Sequence, residues 1–282
     1  MGDMQHGETR VAGTLDASAP NDGDGGFVET SAAKVSIMDE ATVTTRADDG
    51  QTGEWLIDPQ DYTVAEEDGD ITGNTLSNNL VDNNVTIESV DGGEDGNGDI
   101  FINDEVTWSS GNTLTLNAQR NIEINEEMDA SEGNGGKLAL EYGQDSTDGG
   151  SALFTANAPV NLQAGQNLST QLGSNGEVLD FIVITELGDE TGYADGTLQA
   201  MRDDLEGHYA LGADIDASNT VNWEEGKGWE PVGFDSFLSG QDSFRGAFNG
   251  LGHTISDLTI NRPEEDNVGF LEVQSLVCKI FI

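Results

Sequence analysis

Short stretches in which apolar and polar residues alternate recur along this chain, each closed by Asn, Asp, Glu or Gln. The clearest are Asn84-Val-Thr-Ile-Glu88, Asp99-Ile-Phe-Ile-Asn103, Thr113-Leu-Thr-Leu-Asn117, Asn121-Ile-Glu-Ile-Asn125, Lys137-Leu-Ala-Leu-Glu141 and Val160-Asn-Leu-Gln163. A period of two sends successive side chains to opposite faces, so each stretch reads as a strand with one buried face. Three end in an apolar residue followed by Asn, at Asn103, Asn117 and Asn125. Repeated short strands with Asn at the turn fit an all-β solenoid, in which stacked coils let turn asparagines form hydrogen-bonded ladders. The spacing suggests a degenerate coil of roughly 20 residues. An antiparallel sandwich also has many short strands, but the hairpin dipeptides it needs are not regularly placed. The expected core takes Ile100, Ile102, Leu114, Leu116, Ile122, Ile124, Leu138 and Leu140, because alternate residues share a face and stacking buries that face continuously.

Charge excludes several function classes. Ten Lys and Arg stand against 54 Asp and Glu, a formal charge of −44, so phosphate backbones and anionic membranes are repelled. Disorder is the default for acidic chains poor in apolar residues. Here 35% of residues are hydrophobic and fall in a regular pattern, so a folded domain with a solvated acidic surface suited to seawater or brine is expected instead. Cys278 is the single cysteine, which allows no intrachain disulfide. No apolar run approaches the roughly 20 residues that span a bilayer, so no membrane insertion is expected. Met1 to Arg10 lacks the basic and apolar regions of a signal peptide.

One helix is expected near residues 196–205. Leu198, Met201 and Leu205 lie at helical spacing between a capping Asp195 and a terminating Gly207. Strands are then expected at Tyr209–Leu211, Phe244–Phe248 and His253–Asn261, the last ended by Arg262-Pro263.

Three blocks resemble filamentous-haemagglutinin-type adhesins, the exoproteins of two-partner secretion. The first is Gly13-Thr-Leu-Asp-Ala-Ser18 followed by Gly25-Gly-Phe-Val-Glu-Thr-Ser31, and the second is Gly53-Glu-Trp-Leu-Ile-Asp-Pro59. The third runs from Tyr209-Ala-Leu-Gly-Ala-Asp-Ile-Asp-Ala-Ser218 through Trp229-Glu-Pro-Val-Gly233 to Phe244-Arg-Gly-Ala-Phe-Asn-Gly-Leu-Gly-His-Thr-Ile-Ser256. In such adhesins this last run leads into GLUG repeats. The resemblance implies a right-handed parallel β-helix and a secreted or cell-surface location. It further implies export of the full-length protein through an outer-membrane partner barrel, and adhesion to surface glycans or proteins or a part in biofilms. It divides the chain into rungs of the haemagglutinin-type repeat region (1–60), continuing rungs (61–185) and a GLUG-leading segment (186–282). The secretion domain that the barrel would read is missing, so an internal or downstream segment is expected. The resemblance also calls for Gly-Leu-Phe-Gly where the chain reads Gly269-Phe-Leu-Glu-Val273. One base inserted after the Gly269 codon would permit Leu-Phe-Gly there, so Leu276 to Ile282 is expected to be an aberrant tail.

The chemistry-bearing candidates are few. Asp95, Asn97 and Asp99 alternate as at the start of a calcium loop, but the twelfth position, where a bidentate Glu would complete it, is Val106. Asp, Asn and Gly also make ordinary turns. The three histidines, His6, His208 and His253, occupy unrelated contexts, and His253 reads as a turn hydrogen-bonder. Trp55, Trp108, Trp223 and Trp229 could stack on sugars, with burial the blander role. No nucleophile, base and acid stand out. The expectation is therefore a non-catalytic adhesin segment with no cofactor unless calcium binds. A carbohydrate-active β-helix enzyme and a calcium-organised matrix protein are the alternatives.

Overall fold

The computed structural model describes residues 3–90, 92, 96–233, 243–265 and 268–271, with the backbone of 280–281. These residues are mostly strand, with one short α-helix at Gly73–Leu80 and 3₁₀ segments at Leu198–Arg202 and Ser218–Gly226. The chain divides into two compact units, Met1–Asn161 with Leu168–Leu179, and Leu162–Asn167 with Asp180–Ile282. Asp95, Cys278 and most of the suspected tail lie outside the described residues.

In the first unit the alternating stretches are strands, and they pair in parallel. Phe27–Ser31, Glu54–Asp58, Asn84–Ser89, Thr113–Ala118, Lys137–Tyr142 and the second half of Gly165–Leu172 follow one another across one sheet. Phe27 is level with Glu54, Glu54 with Asn84, Val85 with Leu114, Thr113 with Lys137 and Leu138 with Leu168. Paired strands are thus further apart along the chain than the expected period of roughly 20 residues, because loops of uneven length separate them. Parallel neighbours so far apart along the chain cannot come from an antiparallel sandwich, whose strands join through short hairpins.

Alternation then lines up like with like. Val28, Trp55, Val85, Leu114, Leu138 and Leu168 form one inward row, and Thr30, Ile57, Ile87, Leu116, Leu140 and Thr170 form the next. A second sheet stacks Tyr62, Ile100, Ile122 and Phe154 beside Val64, Ile102, Ile124 and Ala156. All eight expected core residues are at most 1% exposed. Each such aliphatic side chain contributes about 1.5–3 kcal/mol on leaving water, which is the main force holding the rungs together.

The spacing between backbones leaves no room for side chains at certain turns. A Cβ on Gly53 would stand 2.0 Å from the Gly26 carbonyl oxygen, and one on Gly25 would stand 1.7 Å from that of Thr45. These glycines sit in the first two blocks that carried the family resemblance, and their role is to let one rung lie on another. The Asp-Ala-Ser sequence of the first block also has a physical role. The Asp16 carboxylate accepts the Ser18 amide at 2.9 Å and its hydroxyl at 2.6 Å, and Asp129-Ala-Ser131 repeats the arrangement at 2.8 and 2.7 Å. Each closes the strand it follows by a side-chain turn.

The helix Gly73–Leu80 occupies a strand's place. Thr42–Thr44 pairs on one side with Thr14–Asp16; on its other side Asn79 and Asn83 supply the missing ladder. The Val43 amide donates to Asn79 Oδ1 at 2.7 Å, and Asn83 Nδ2 donates to the Val43 carbonyl at 2.8 Å. The far side of the helix meets Val106–Thr107, where the Thr107 amide donates to Ser77 Oγ at 2.9 Å. Side-chain amides mimic peptide groups there, so a helical turn fits within a stack of strands.

In the second unit Phe181–Ile184 pairs in parallel with His208–Leu211, and Tyr209 with Phe248; Gly228 and Ile260 form an antiparallel bridge. The expected helix near 196–205 is a single 3₁₀ segment, Leu198–Arg202, with Leu198 and Met201 buried. The strands expected at Phe244–Phe248 and His253–Asn261 shrink to Phe248–Asn249 and Ile255–Ser256. Leu251, Gly252 and Asp257 adopt positive φ and interrupt the extended chain on either side of the second. The core centres on Trp229, fully buried, stacked on Trp223 at 6.1 Å and on Phe270 at 5.7 Å. The Arg202 guanidinium lies 5.3 Å over the Trp229 ring. Among the described residues no helix is long and apolar enough to cross a membrane.

Candidate functional site

The described end of the calcium-like segment, Gly96 to Asp99, is organised by protein groups. Asp61 accepts the Asn97 and Asp99 amides, each at 2.9 Å, which folds the Gly-Asn-Gly-Asp turn against the preceding rung. The Asp99 side chain is nearly buried and faces the next rung, where Arg120 grips both its oxygens and the Asn121 amide donates to Oδ1 at 3.0 Å. Burial alone would push this carboxyl up; the bonds from Arg120 and Asn121 hold it below its usual range. The cation that Asp99 holds in this structure is therefore a guanidinium. Among the described residues no three His, Cys, Asp or Glu side chains converge as a metal cluster.

The turn asparagines do form a ladder. Asn125 Nδ2 donates to Asn103 Oδ1 at 2.8 Å, and Asn157 Nδ2 to Asn125 Oδ1 at 2.7 Å. Asn117 lies on another face and donates to the Glu141 carboxylate at 2.6 Å. On that face Glu88, Asn117, Glu141 and Gln171 follow one another in register, beside Asp58. Asp58 Oδ1 is buried without a partner. Burial, reinforced by Glu88 and Glu29, pushes the Asp58 carboxyl up to about 6.

All four tryptophans are buried. Trp55 Nε1 donates to Thr30 Oγ1, Trp108 Nε1 to the Asn112 carbonyl and Trp229 Nε1 to the Phe270 carbonyl. His253 closes its turn: its Nδ1 is 3.4 Å from Asp214 Oδ1, which also accepts the Thr254 amide at 2.8 Å. Neither arrangement resembles a catalytic set.

The second unit holds a cavity of about 250 Å³ that motif spacing did not single out. Glu190, Tyr193, Gln199, Arg202, Trp223 and Glu224 line it. Arg202 reaches both the carboxylate and the carbonyl of Glu230. Arg262, its side chain buried, reaches Glu224 at 2.7 Å and Glu265 at 3.2 Å. The Glu224 amide donates to Glu190 Oε1 at 2.6 Å. Two buried polar atoms of lining residues have no partner, Gln199 Oε1 and Arg202 Nε. Each such atom costs about 1–3 kcal/mol. Glu224 and Glu225 are held at φ 47° and 59°, a left-handed conformation costly for Glu and most often kept where function requires it.

Comparison with known proteins adds one partial similarity. No family model matches the chain. No solved structure matches it. Over 63 residues it is 44% identical to halomucin of Haloquadratum walsbyi, a stretch that is 22% of this chain and 1% of that protein. The chain therefore spans only a small fraction of the length of the relative it matches.

Proposed function

We propose that this chain is a non-catalytic segment of a secreted surface adhesin, a stiff right-handed parallel β-helical rod that presents its turns to surface glycans or proteins. The observation that carries the reading is the in-register parallel stacking of the first unit, with two continuous inward rows and an outward asparagine ladder. Parallel strands joined by crossovers take the right hand almost without exception. Such a stack grows by adding rungs, so its natural product is length and surface. The acidic surface keeps it soluble in salt. The resemblance to haemagglutinin-type adhesins supports the same reading, and the stretch shared with halomucin, named as a mucin, points to the cell exterior.

A polysaccharide-cleaving enzyme is the competing reading, and the second unit's carboxylates argue against it. Glu224 and Glu230, two of the three acids that line the cavity, are each paired with an arginine. A glycosidase instead needs one carboxyl kept protonated and one free to act as base or nucleophile. The test is incubation with neutral and acidic polysaccharides, assayed for new reducing ends and unsaturated products. Retention of the chain on polysaccharide-coated surfaces without turnover is expected, and measurable turnover would overturn the reading.

A further inference from the structure

We propose that this chain cuts its own backbone between Asp58 and Pro59, with the Asp58 side chain as the nucleophile. The inference is independent of the adhesin reading. Of the five prolines only Pro59 follows an aspartate; Ala19, Ala158, Glu230 and Arg262 precede the others. An aspartyl oxygen that reaches its own main-chain carbonyl carbon closes a five-membered ring, and this intramolecular approach needs no bound ligand. Asp58 Oδ1 is buried, and no hydrogen bond holds it elsewhere.

Neighbouring rungs fix the backbone on both sides of the bond. Asp58 ends the strand Glu54–Asp58, and its carbonyl oxygen accepts the Ala32 amide at 3.2 Å. The Pro59 carbonyl accepts the Val90 amide at 3.1 Å. An amide already donating to the Asp58 carbonyl oxygen stabilises the negative charge that grows there when the carbon is attacked. The step balances within the residue pair. A neutral Asp58 carboxyl gives its oxygen to the carbonyl carbon and its proton to the Pro59 nitrogen. The C–O bond forms, the C–N bond breaks, and proline leaves as a secondary amine with the C–N electron pair. Proline suits this departure, since its nitrogen carries no N–H to tie it into a ladder. A succinic anhydride remains on Asp58, and one water opens it to the free acid; the residue is only half-buried, so water arrives. The surroundings keep the carboxyl neutral. Glu54–Asp58 lies between Phe27–Ser31 and Asn84–Ser89, and the charged groups acting on Asp58 from these strands are Glu29 and Glu88, both negative. Burial first, then these two, push the carboxyl up to about 6. The cut therefore runs in mild acid and slows by roughly tenfold for each pH unit above 6.

The experiment is incubation of the full chain at pH 5 and pH 8 over days. Products are separated under denaturing conditions and weighed by mass spectrometry, since the strand Glu54–Asp58 still pairs with Asn84–Ser89 after a cut. Fragments 1–58 and 59–282 are expected, forming at least about tenfold faster at pH 5 than at pH 8. Unfolding the chain in urea at pH 5 is expected to slow the cut about tenfold, because the carboxyl returns toward 3.8 and the Ala32 amide is lost. A cut as fast in urea would reduce the bond to ordinary acid lability and overturn the proposal. Asp58→Asn removes the nucleophile and Pro59→Ala the leaving group; each is expected to slow the cut at least about tenfold. If Pro59→Ala does not fold, Asp58→Asn alone decides. Absence of these fragments at pH 5, or variants that are cut like the parent, would equally sink the idea.

Discussion

Replacing Asp58 by Asn is expected to stabilise the first unit above pH 6 and to leave it unchanged at pH 4. Asp58 sits on a strand beside Glu88, with Glu29 nearby, and its buried Oδ1 has no partner. Its carboxyl is raised from 3.8 to about 6 in the folded chain. The sign follows from proton binding. Between about pH 4 and 6 the folded state holds a proton that the unfolded state has released, so stability falls as pH rises through that window. Above pH 6 the full cost of the buried charge is present. A rise of that size corresponds to an upper bound of about 3 kcal/mol; Asp58 is partly exposed, and screening by solvent reduces this to about 1 kcal/mol. Asn removes the charge and can donate to the Glu88 side, as Asn117 donates to Glu141. The assay is urea denaturation of parent and Asp58→Asn at pH 4, 5, 6 and 7.5. A gain of about 1 kcal/mol at pH 7.5 that vanishes at pH 4 is expected. Taking the difference between the two proteins cancels other titrations, including that of Asp99, whose lowered carboxyl stabilises the fold at neutral pH and is lost as pH falls. A gain equal at all four pH values, or a loss at pH 7.5, would refute the reasoning.

Gly53→Ala is expected to cost at least about 2–3 kcal/mol in a urea melt, because its Cβ would meet the Gly26 carbonyl at 2.0 Å. A shift under about 0.5 kcal/mol, the size of an ordinary surface substitution, would mean that the rungs separate easily there. Asn79→Ala, which strands the buried Val43 amide, is expected to cost about 2–3 kcal/mol, while Asn125→Ala in the exposed ladder costs about 1 kcal/mol or less. Equal losses would show that the helix does not stand in for a strand. Raising NaCl from 0.1 to 1 M shortens the screening length from about 10 to about 3 Å and is expected to raise the melting temperature of this chain of charge −44; an unchanged value would count against charge repulsion as a destabilising force.

The first unit was legible because its signal is local. A strand such as Thr113–Ala118 announces its buried face within its own few residues, and the stacked rows follow from copying that face. The helix Gly73–Leu80 was not legible, since Gly, Asn, Thr and Ser are weak helix formers and its stability comes from the neighbouring rungs that Asn79 and Asn83 bridge. The second unit resisted for a related reason: its longer register steps and positive-φ turns leave strands as short as Phe248–Asn249 and Ile255–Ser256, too short for any alternation to show.

The calcium segment marks the deeper limit. Read along the chain, Asp95, Asn97 and Asp99 are spaced like metal ligands. Read across the sheet, Asp99 stands beside Asn121 and Arg120, because Ile100 pairs with Ile122 and the register carries Asp99 to the same level. In a parallel stack the partner of a residue is set by register, a whole rung away in the sequence, and an alternating motif records only which face each side chain takes. The cavity is likewise assembled from residues apart in the chain: the Glu224 amide reaches Glu190, and Glu230 reaches Arg202. Chemistry in such a fold is written across rungs, so a sequence motif there gains meaning only once its register partner is known.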